Sequence, residues 1–352
     1  MAALVALLSI GLLVLGATGL ARTELAFRLV NGLPAGTEER QAATAAGEGF
    51  AAGILAPTVL LVEGDAVGER TEELTRLQEE LGGQPGVAAV IGPGSLPGDA
   101  PGDVFVSEEG DASRFGVVFD TSPLGSTAIE DLDRLEERLP GLLEAAGLNE
   151  VGAAVLGQTA IARDTVEAVV GSSERVGAVV LAVNFMLLAL FLRALVAPLY
   201  LLAASLLSVA ATLGLTTYVF QVLLGHDDIT YYVPFAAGVL LVSLGSDYNV
   251  FVVGRIWQEA RRTTLREAIA LAAPRASRAI SVAGLALSFA MLAVVPLDGF
   301  REFAFMMAVS VLVETFLVRS LLIPALVSLF GRTSAWPGRL LRPEATPSER
   351  SA

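Results

Sequence analysis

Asp247 stands inside an apolar run, residues 231–253, that is long enough to cross a membrane as a helix. A charged side chain at that depth costs at least ~2.5 kcal/mol by insertion scales, so it must face other helices, stay protonated part of the time, or form a pair. Burial and neighbouring charge can then tune the carboxyl group to load and release a proton. A proton-driven pump requires that chemistry; a buried aspartate that only locks helix packing is the alternative.

Three more side chains that can carry or transfer a proton lie within apolar runs of membrane length. Tyr248 follows Asp247 directly, but adjacent residues on a helix point about 100° apart, so the two would face different neighbours. Glu314 and Arg319 lie near the middle of another apolar run, residues 302–330. Glu314 is a candidate relay or counter-charge partner, and Arg319 could neutralise either acid or the cytoplasmic ends of helices.

The elements that must position these residues are membrane helices. The chain has 352 residues, of which 54% are hydrophobic, and a mean hydropathy of +0.65. The apolar residues cluster in six runs: 2–20, 176–192, 195–220, 231–253, 279–297 and 302–330. Most approach or exceed the ~20 residues that a spanning helix needs, so the sequence predicts six transmembrane helices. Residues 2–20 could instead be a signal peptide, but they lack the positively charged leading segment typical of one.

Residues 21–175 are charged and rich in Gly and Pro, and they predict a folded aqueous domain between the first two spans. Period-2 or β-branched runs predict strands, and apolar residues at helical spacing predict helices between them. The predicted strands are 25–30, 58–62, 87–91, 104–106, 114–119 and 151–156, and the clearest helices are 69–81 and 129–143. This order indicates an α/β sandwich, and a last helix, 158–173, is expected to run straight into the second span.

The distribution of arginine predicts which side of the membrane each connection occupies, because short cytoplasmic loops retain arginine. Residues 254–281 hold six arginines against two glutamates, and Arg193 lies in the turn between spans two and three. These connections and the tail, 332–352, are therefore predicted to be cytoplasmic. The predicted domain organisation is therefore a first helix at 1–20, an extracytoplasmic domain at 21–175, helices two to six within 176–331, and the tail.

Charge and composition also exclude several classes of function. Residues 21–175 hold 10 Arg and 27 Asp plus Glu, a net charge of −17, which is the wrong sign for a nucleic-acid partner. The chain has no cysteine and a single histidine, His226, so thiolate or histidine metal sites and a histidine-based triad are not expected. We expect no cofactor and place His226 at the membrane interface without a chemical role.

Four segments together resemble the MMPL family of resistance-nodulation-division exporters. They are Gly-Ser-Asp-Tyr-Asn-Val-Phe-Val-Val-Gly-Arg-Ile (245–256), Gly157-Gln158-Thr159-Ala160 with Asp164, Pro85-Gly86-Val87 with Val90, and Glu314-Thr315-Phe316-Leu317-Val318-Arg319 continuing to Leu326. The resemblance runs over essentially the whole chain. It implies a porter-type outer domain, a mechanism driven by the proton-motive force, and export of lipids or other hydrophobic molecules across the cytoplasmic membrane.

In that family an Asp-Tyr pair in the fourth helix forms the proton relay, which maps here onto Asp247 and Tyr248. Glu314 departs from the aspartate common at its position. Family members usually contain two such halves, whereas this chain supplies one without an internal repeat. We therefore expect a single half, most consistent with the C-terminal half of a split or truncated transporter; the alternatives are that it works with a second half-transporter chain or as a homo-oligomer.

Three other functions compete with proton-driven export. A protein-translocation motor subunit of the Sec-associated type also has six helices with an outer domain after the first, although its fourth span reads differently. A non-transporting half that only binds lipid would not need Asp247. An intramembrane aspartyl protease needs two facing aspartates, and the apolar runs contain no second one.

Overall fold

A computed structural model describes residues 1–27, 33, 36–95, 104–271 and 297–338, apart from the side chains of 244–249 and 251. The chain divides into two compact units. We call Glu24–Ala168 the α/β unit, and Met1–Thr23 with Val169–Ala352 the helical unit.

The described helices are α1 (Ala2–Ala17), α2 (Glu38–Gly49), α3 (Thr71–Gly82), α4 (Ser126–Ala146), α5 (Gln158–Leu192), α6 (Val196–Thr217), α7 (Tyr232–Ala260), α8 (described over 265–271), α9 (Asp298–Leu312) and α10 (Ile323–Phe330). The strands are β1 (Leu25–Ala26), β2 (Thr58–Glu63), β3 (Val87–Ile91), β4 (Ala112–Phe119), β5 (Gly152–Leu156) and β6 (Ile229–Thr230). Two segments are π-helical: Tyr218–Leu223 and Val313–Leu322.

The α/β unit is built on a four-stranded antiparallel sheet in the order β3-β4-β2-β5. Leu60 of β2 pairs with Phe115 of β4, and two residues further along each strand Val62 and Val117 point to the same face. All four side chains are at most 1% exposed. The sheet therefore presents one apolar face, as the alternation in the sequence predicts.

Helices α3 and α4 cover that face with leucines at helical spacing. Leu74, Leu77 and Leu81 of α3 are buried, as are Leu132 and Leu135 of α4, and all belong to one core with the sheet residues. Burying one such leucine contributes roughly 1.5–3 kcal/mol relative to leaving it exposed. The predicted strand at 104–106 is wrong: only Val106 forms an isolated bridge, to Ser113 of β4, and the residues before it lie in a turn.

Helix α5 is continuous over 35 residues, from Gln158 to Leu192. The prediction that a helix at 158–173 runs into the second span is therefore confirmed. A three-residue connection, 193–195, separates α5 from α6, and Arg193 adopts a left-handed conformation there with φ of 48°.

In the helical unit, α1 and α6 cross at small residues. A Cβ atom added to Gly214 would collide with the backbone of Gly16, and one added to Gly19 would collide with the backbone of Gly214. Glycine at this crossing lets the two backbones come into contact, as in other membrane helix pairs. The core around it includes Leu13 and Leu201, both 1% exposed.

Among the described residues, four helical segments are long and apolar enough to cross a membrane: Ala2–Arg22, Gln158–Leu192, Val196–Leu223 and Asp298–Ala335. They match the predicted first, second, third and sixth spans. The predicted fourth span lies within α7, a helix of 29 residues, whose described apolar part is the shorter Tyr232–Ser243. The predicted fifth span, 279–297, lies almost wholly outside the described residues. Six spans therefore stay a prediction.

Candidate functional site

The backbone of α7 carries Asp247 and Tyr248 far from either end of the helix. Asp247 is the sixteenth residue of α7, which places it about 22 Å along the axis from Tyr232 at 1.5 Å per residue. The side chains of both residues lie outside the described part of the structure. Residues on one side of α7 are buried before and after them: Leu241 is 3% exposed and Val252 is fully buried. The part of α7 that contains Asp247 and Tyr248 thus lies between segments of the helix that pack into the bundle.

Glu314 and Arg319 lie together in the π-helical segment Val313–Leu322, and each is only 4% exposed. They are five residues apart, which is the hydrogen-bonding interval of a π-helix. The Ser320 hydroxyl donates a 2.7 Å hydrogen bond to the carbonyl of Thr315, over the same interval. Wide helical turns of this kind are rare and frequently mark functional sites.

The carboxyl group of Glu314 is short of hydrogen-bond partners. It faces the hydroxyl of Ser208 on α6 and interacts electrostatically with Arg319. Neither carboxyl oxygen meets a donor in hydrogen-bonding geometry among the described residues. Leaving such a group buried and unsatisfied costs about 1–3 kcal/mol, and more when it is charged. A buried acid kept at this cost is a candidate for protonation chemistry.

The structure thus brings two of the four predicted site residues together, Glu314 and Arg319. The π-helical segment packs against α1 and α6, and it also contacts α7. The helix that carries Asp247 and Tyr248 is therefore a direct neighbour of the segment that carries Glu314. Whether all four side chains meet stays a prediction.

Sequence reasoning missed a second buried acid, Glu302 of α9. Its side chain is fully buried, its Oε2 accepts a 2.9 Å hydrogen bond from the backbone N–H of Thr230, and its Oε1 lies 3.7 Å from Nδ1 of His226. His226, expected to have no chemical role, is therefore next to a buried carboxylate. The available signal was a lone acid between aromatic residues, Phe300 and Phe303, near the start of an apolar run.

Among the described residues, no group of three His, Asp or Glu side chains is placed to hold a metal ion. The described site is instead a set of buried acids and one arginine within apolar helices. Chemistry of that kind moves protons or positions charge.

Buried ionisable groups inside a bundle of membrane-length apolar helices define a multi-pass protein of the cell membrane. The sequence profile of the MMPL family matches residues 32–349, and the chain belongs to that family. The resemblance inferred from the sequence is therefore confirmed.

Three relatives illustrate the similarity. The Streptomyces coelicolor protein SCO5905 is 34% identical over 337 residues, covering 94% of this chain and 38% of that protein. The apo-petrobactin exporter of Bacillus anthracis is 28% identical over 325 residues, covering 91% and 42%. The sulfolipid-1 exporter MmpL8 of Mycobacterium tuberculosis is 29% identical over 241 residues, covering 68% and 22%. The chain thus spans less than half the length of each relative.

Proposed function

We propose that this chain is one half of an exporter, driven by the proton-motive force, that moves lipids or other hydrophobic molecules across the cytoplasmic membrane. The observation that carries the proposal is the carboxyl group of Glu314, which is 4% exposed in the middle of a membrane-length helix. The hydroxyl of Ser208 lies beside it, but neither carboxyl oxygen meets a donor in hydrogen-bonding geometry among the described residues. A protein that needed Glu314 only for packing would satisfy its oxygens, because buried polar groups in native structures nearly always have partners.

In the proposed mechanism, Asp247 and Tyr248 form the proton relay of α7, and Glu314 is its neighbour on the π-helical segment. Arg319 supplies a positive charge that favours the ionised form of the acids nearby. A change of conformation in the bundle would alter both the burial of these acids and their distance from Arg319. The acids then take up a proton in one state and release it in the other.

The proposed cargo class follows from the relatives. One is named as an exporter of apo-petrobactin and another as an exporter of sulfolipid-1. Membrane transport of a hydrophobic or amphipathic molecule is the function that these names and the family have in common. The chain is not proposed to be an enzyme, since proton movement coupled to transport makes and breaks no bond in the cargo.

The proposal also includes an extracytoplasmic position for residues 21–175 and a second half. The arginine-rich connection at 254–281 favours that orientation. Relatives more than twice as long as this chain support the need for a second half, on the same chain, on a partner chain or in a second copy.

The test replaces Asp247 with asparagine, which keeps the size of the side chain and removes its proton. Nile red efflux is measured in energised cells of the host strain that lack the chromosomal copy and carry each variant. We expect Asp247→Asn to reduce efflux to the level of the strain without the gene, with an unchanged amount of protein in the membrane.

Asp65→Asn is the matched control, because Asp65 lies exposed after β2 in the α/β unit. It makes the same chemical change outside the apolar run and should leave efflux unchanged. Efflux that persists in Asp247→Asn at the level of the unmodified protein would contradict the proposed relay.

A further inference from the structure

A line of buried hydroxyl groups follows one side of α6. Ser208, Thr212 and Thr216 are each fully buried and four residues apart. Four residues of α-helix rise about 6 Å, and one water with two hydrogen bonds of 2.5–3.0 Å spans about 5–6 Å between two oxygens. The hydroxyl stripe, as we call these three residues, therefore has the spacing of a chain in which single waters alternate with side-chain oxygens.

The buried polar atoms beside this stripe are short of partners. Ser208 Oγ, Ser310 Oγ on α9 and both carboxyl oxygens of Glu314 make no hydrogen bond within the described residues. Thr212 and Thr216 donate to backbone carbonyls at 2.8 Å, which leaves the lone pairs of their oxygens to accept. Buried polar atoms without protein partners are commonly satisfied by ordered water.

Two contacts show that α6 and α9 run side by side in opposite directions. At one level Ser208 faces Glu314. Further along, the ring of Phe220 packs edge-on against Phe305, with centroids 5.5 Å apart. The stripe thus leads from Glu314 toward the first turns of α9, where Glu302 lies twelve residues, or about 18 Å, from Glu314.

Glu302 marks the other end of this path and is connected to water through His226. The imidazole of His226 is 26% exposed, and its Nδ1 lies 3.7 Å from Oε1 of the fully buried Glu302. Its ring also packs against Phe220, with centroids 5.5 Å apart. Gln221 Oε1 and Thr230 Oγ1, both close to His226 in sequence, are further buried atoms without a described partner.

We propose that water occupies the hydroxyl stripe, and that protons reach Glu314 from the extracytoplasmic side through His226, Glu302 and the hydroxyls of α6. This inference rests on the proposed proton-driven export and names the route by which its protons enter. It gives Glu302 and His226 a role that the resemblance does not assign.

At the entrance, the proton passes from His226 to Glu302. A proton from outside water binds the imidazole, and a shift of about 0.5–1 Å brings Nδ1 to hydrogen-bonding distance from Glu302 Oε1. The N–H bond then breaks as an O–H bond forms, and His226 returns to its neutral form. Beyond Glu302, each water or hydroxyl oxygen accepts one proton as it donates another.

Other ionisable groups near this entrance influence the same step. Tyr232 at the start of α7 interacts electrostatically with Glu302. The remaining ones are Asp227, Asp228 and Tyr231 in the connection before α7, and Asp298 and Arg301 on α9, which form an ion pair at 3.6 Å.

The absence of cysteine from the chain allows a direct test of water in the stripe. Ser208→Cys and Thr212→Cys are introduced singly, the protein is placed in liposomes, and silver ions are added outside. The thiols left unreacted are then counted by fluorescent maleimide after denaturation. Leu206→Cys is the control, because Leu206 lies on the same helix, 41% exposed on its apolar side.

We expect both stripe positions to react roughly tenfold faster than Leu206→Cys or more, because a bare ion does not enter hydrocarbon. Equal rates at all three positions would overturn the proposal. Because this readout needs no transport, it is independent of the Asp247→Asn result.

Glu302→Gln tests the entrance itself, because glutamine still accepts the hydrogen bond from Thr230 but cannot take up a proton in this range. In Nile red efflux measured at a series of external pH values, this variant should show a weaker dependence on external pH. A profile identical to that of the unmodified protein would assign Glu302 a purely structural role. If Asp247→Asn instead exported Nile red as well as the unmodified protein, that result would contradict the proposed function and leave the silver result valid.

Discussion

Gly86 and Gly110 in the α/β unit adopt the same left-handed backbone conformation in different surroundings. Their φ angles are +83° and +72°. A Cβ atom on Gly86 would come within 2.7 Å of the carboxyl group of Asp131, whereas one on Gly110 would meet nothing within 4 Å. Asp131 is 4% exposed and forms an ion pair with Arg134, and burial raises the pKa of its carboxyl group while that arginine lowers it.

Replacement of each glycine with alanine should therefore give different losses of stability. Gly110→Ala should cost about 1–2 kcal/mol for the left-handed conformation alone. Gly86→Ala should cost about 1–3 kcal/mol more, because the carboxyl group of Asp131 cannot move without losing its partners. Urea-dependent proteolysis of the full chain in detergent, followed at sites within Glu24–Ala168, measures both. Equal losses would mean that Asp131 moves away freely.

A single residue was predictable from the sequence where an ionisable side chain stands within a long apolar run. Asp247 and Glu314 could be found because each interrupts an apolar run of membrane length. Glu302 could not be distinguished in this way. It is the fifth residue of a helix, where an acid is ordinarily a solvated partner of the helix dipole, and only the folded bundle buries it.

Helices and strands with strong periodicity were predictable at the level of the element. The strands at 58–62, 87–91 and 114–119 and the helices at 69–81 and 129–143 match the structure to within a few residues. The π-helical segments were not, because no local pattern distinguishes a π-helix from an α-helix and the choice depends on tertiary packing. The relation between Glu314 and Arg319 therefore could not be obtained from spacing alone.

The crossing of α1 with α6 gives a prediction at the level of the element. Gly214→Ala should destabilise the helical unit by about 1–3 kcal/mol, because the added methyl group collides with the backbone of Gly16. Gly11→Ala is the matched control: Gly11 lies within α1 with nothing within 4 Å of an added Cβ. Since alanine favours a helix over glycine, the control should be neutral or slightly stabilising. Thermal unfolding in detergent by circular dichroism compares the two, and similar midpoints would show that the helices separate without cost.

At the scale of the whole molecule, the chain corresponds to only part of each relative. It spans 38% of SCO5905 and 42% of the apo-petrobactin exporter. A relay in a single half would lack the second half that the family arrangement implies. The number of copies in the working assembly is therefore part of the proposed mechanism.

We propose that the working assembly contains two halves, supplied by one longer chain, by two copies of this chain or by this chain with a different one. Native mass measurement of protein extracted in mild detergent should show that assembly, and differently tagged copies should be isolated together if it is a homodimer. An unrelated multi-pass protein expressed at the same level serves as the control for chance association in micelles. A strictly monomeric protein that still exports Nile red would contradict this expectation.

The continuous helix α5 is longer than a membrane is thick. Its 35 residues extend about 52 Å, whereas the hydrocarbon layer is about 30 Å thick. The helix therefore exceeds the thickness of the hydrocarbon layer by about 20 Å. Arg163 near its first turn forms ion pairs with Asp133 and Glu136 of α4, which fixes that end to the sheet-bearing unit.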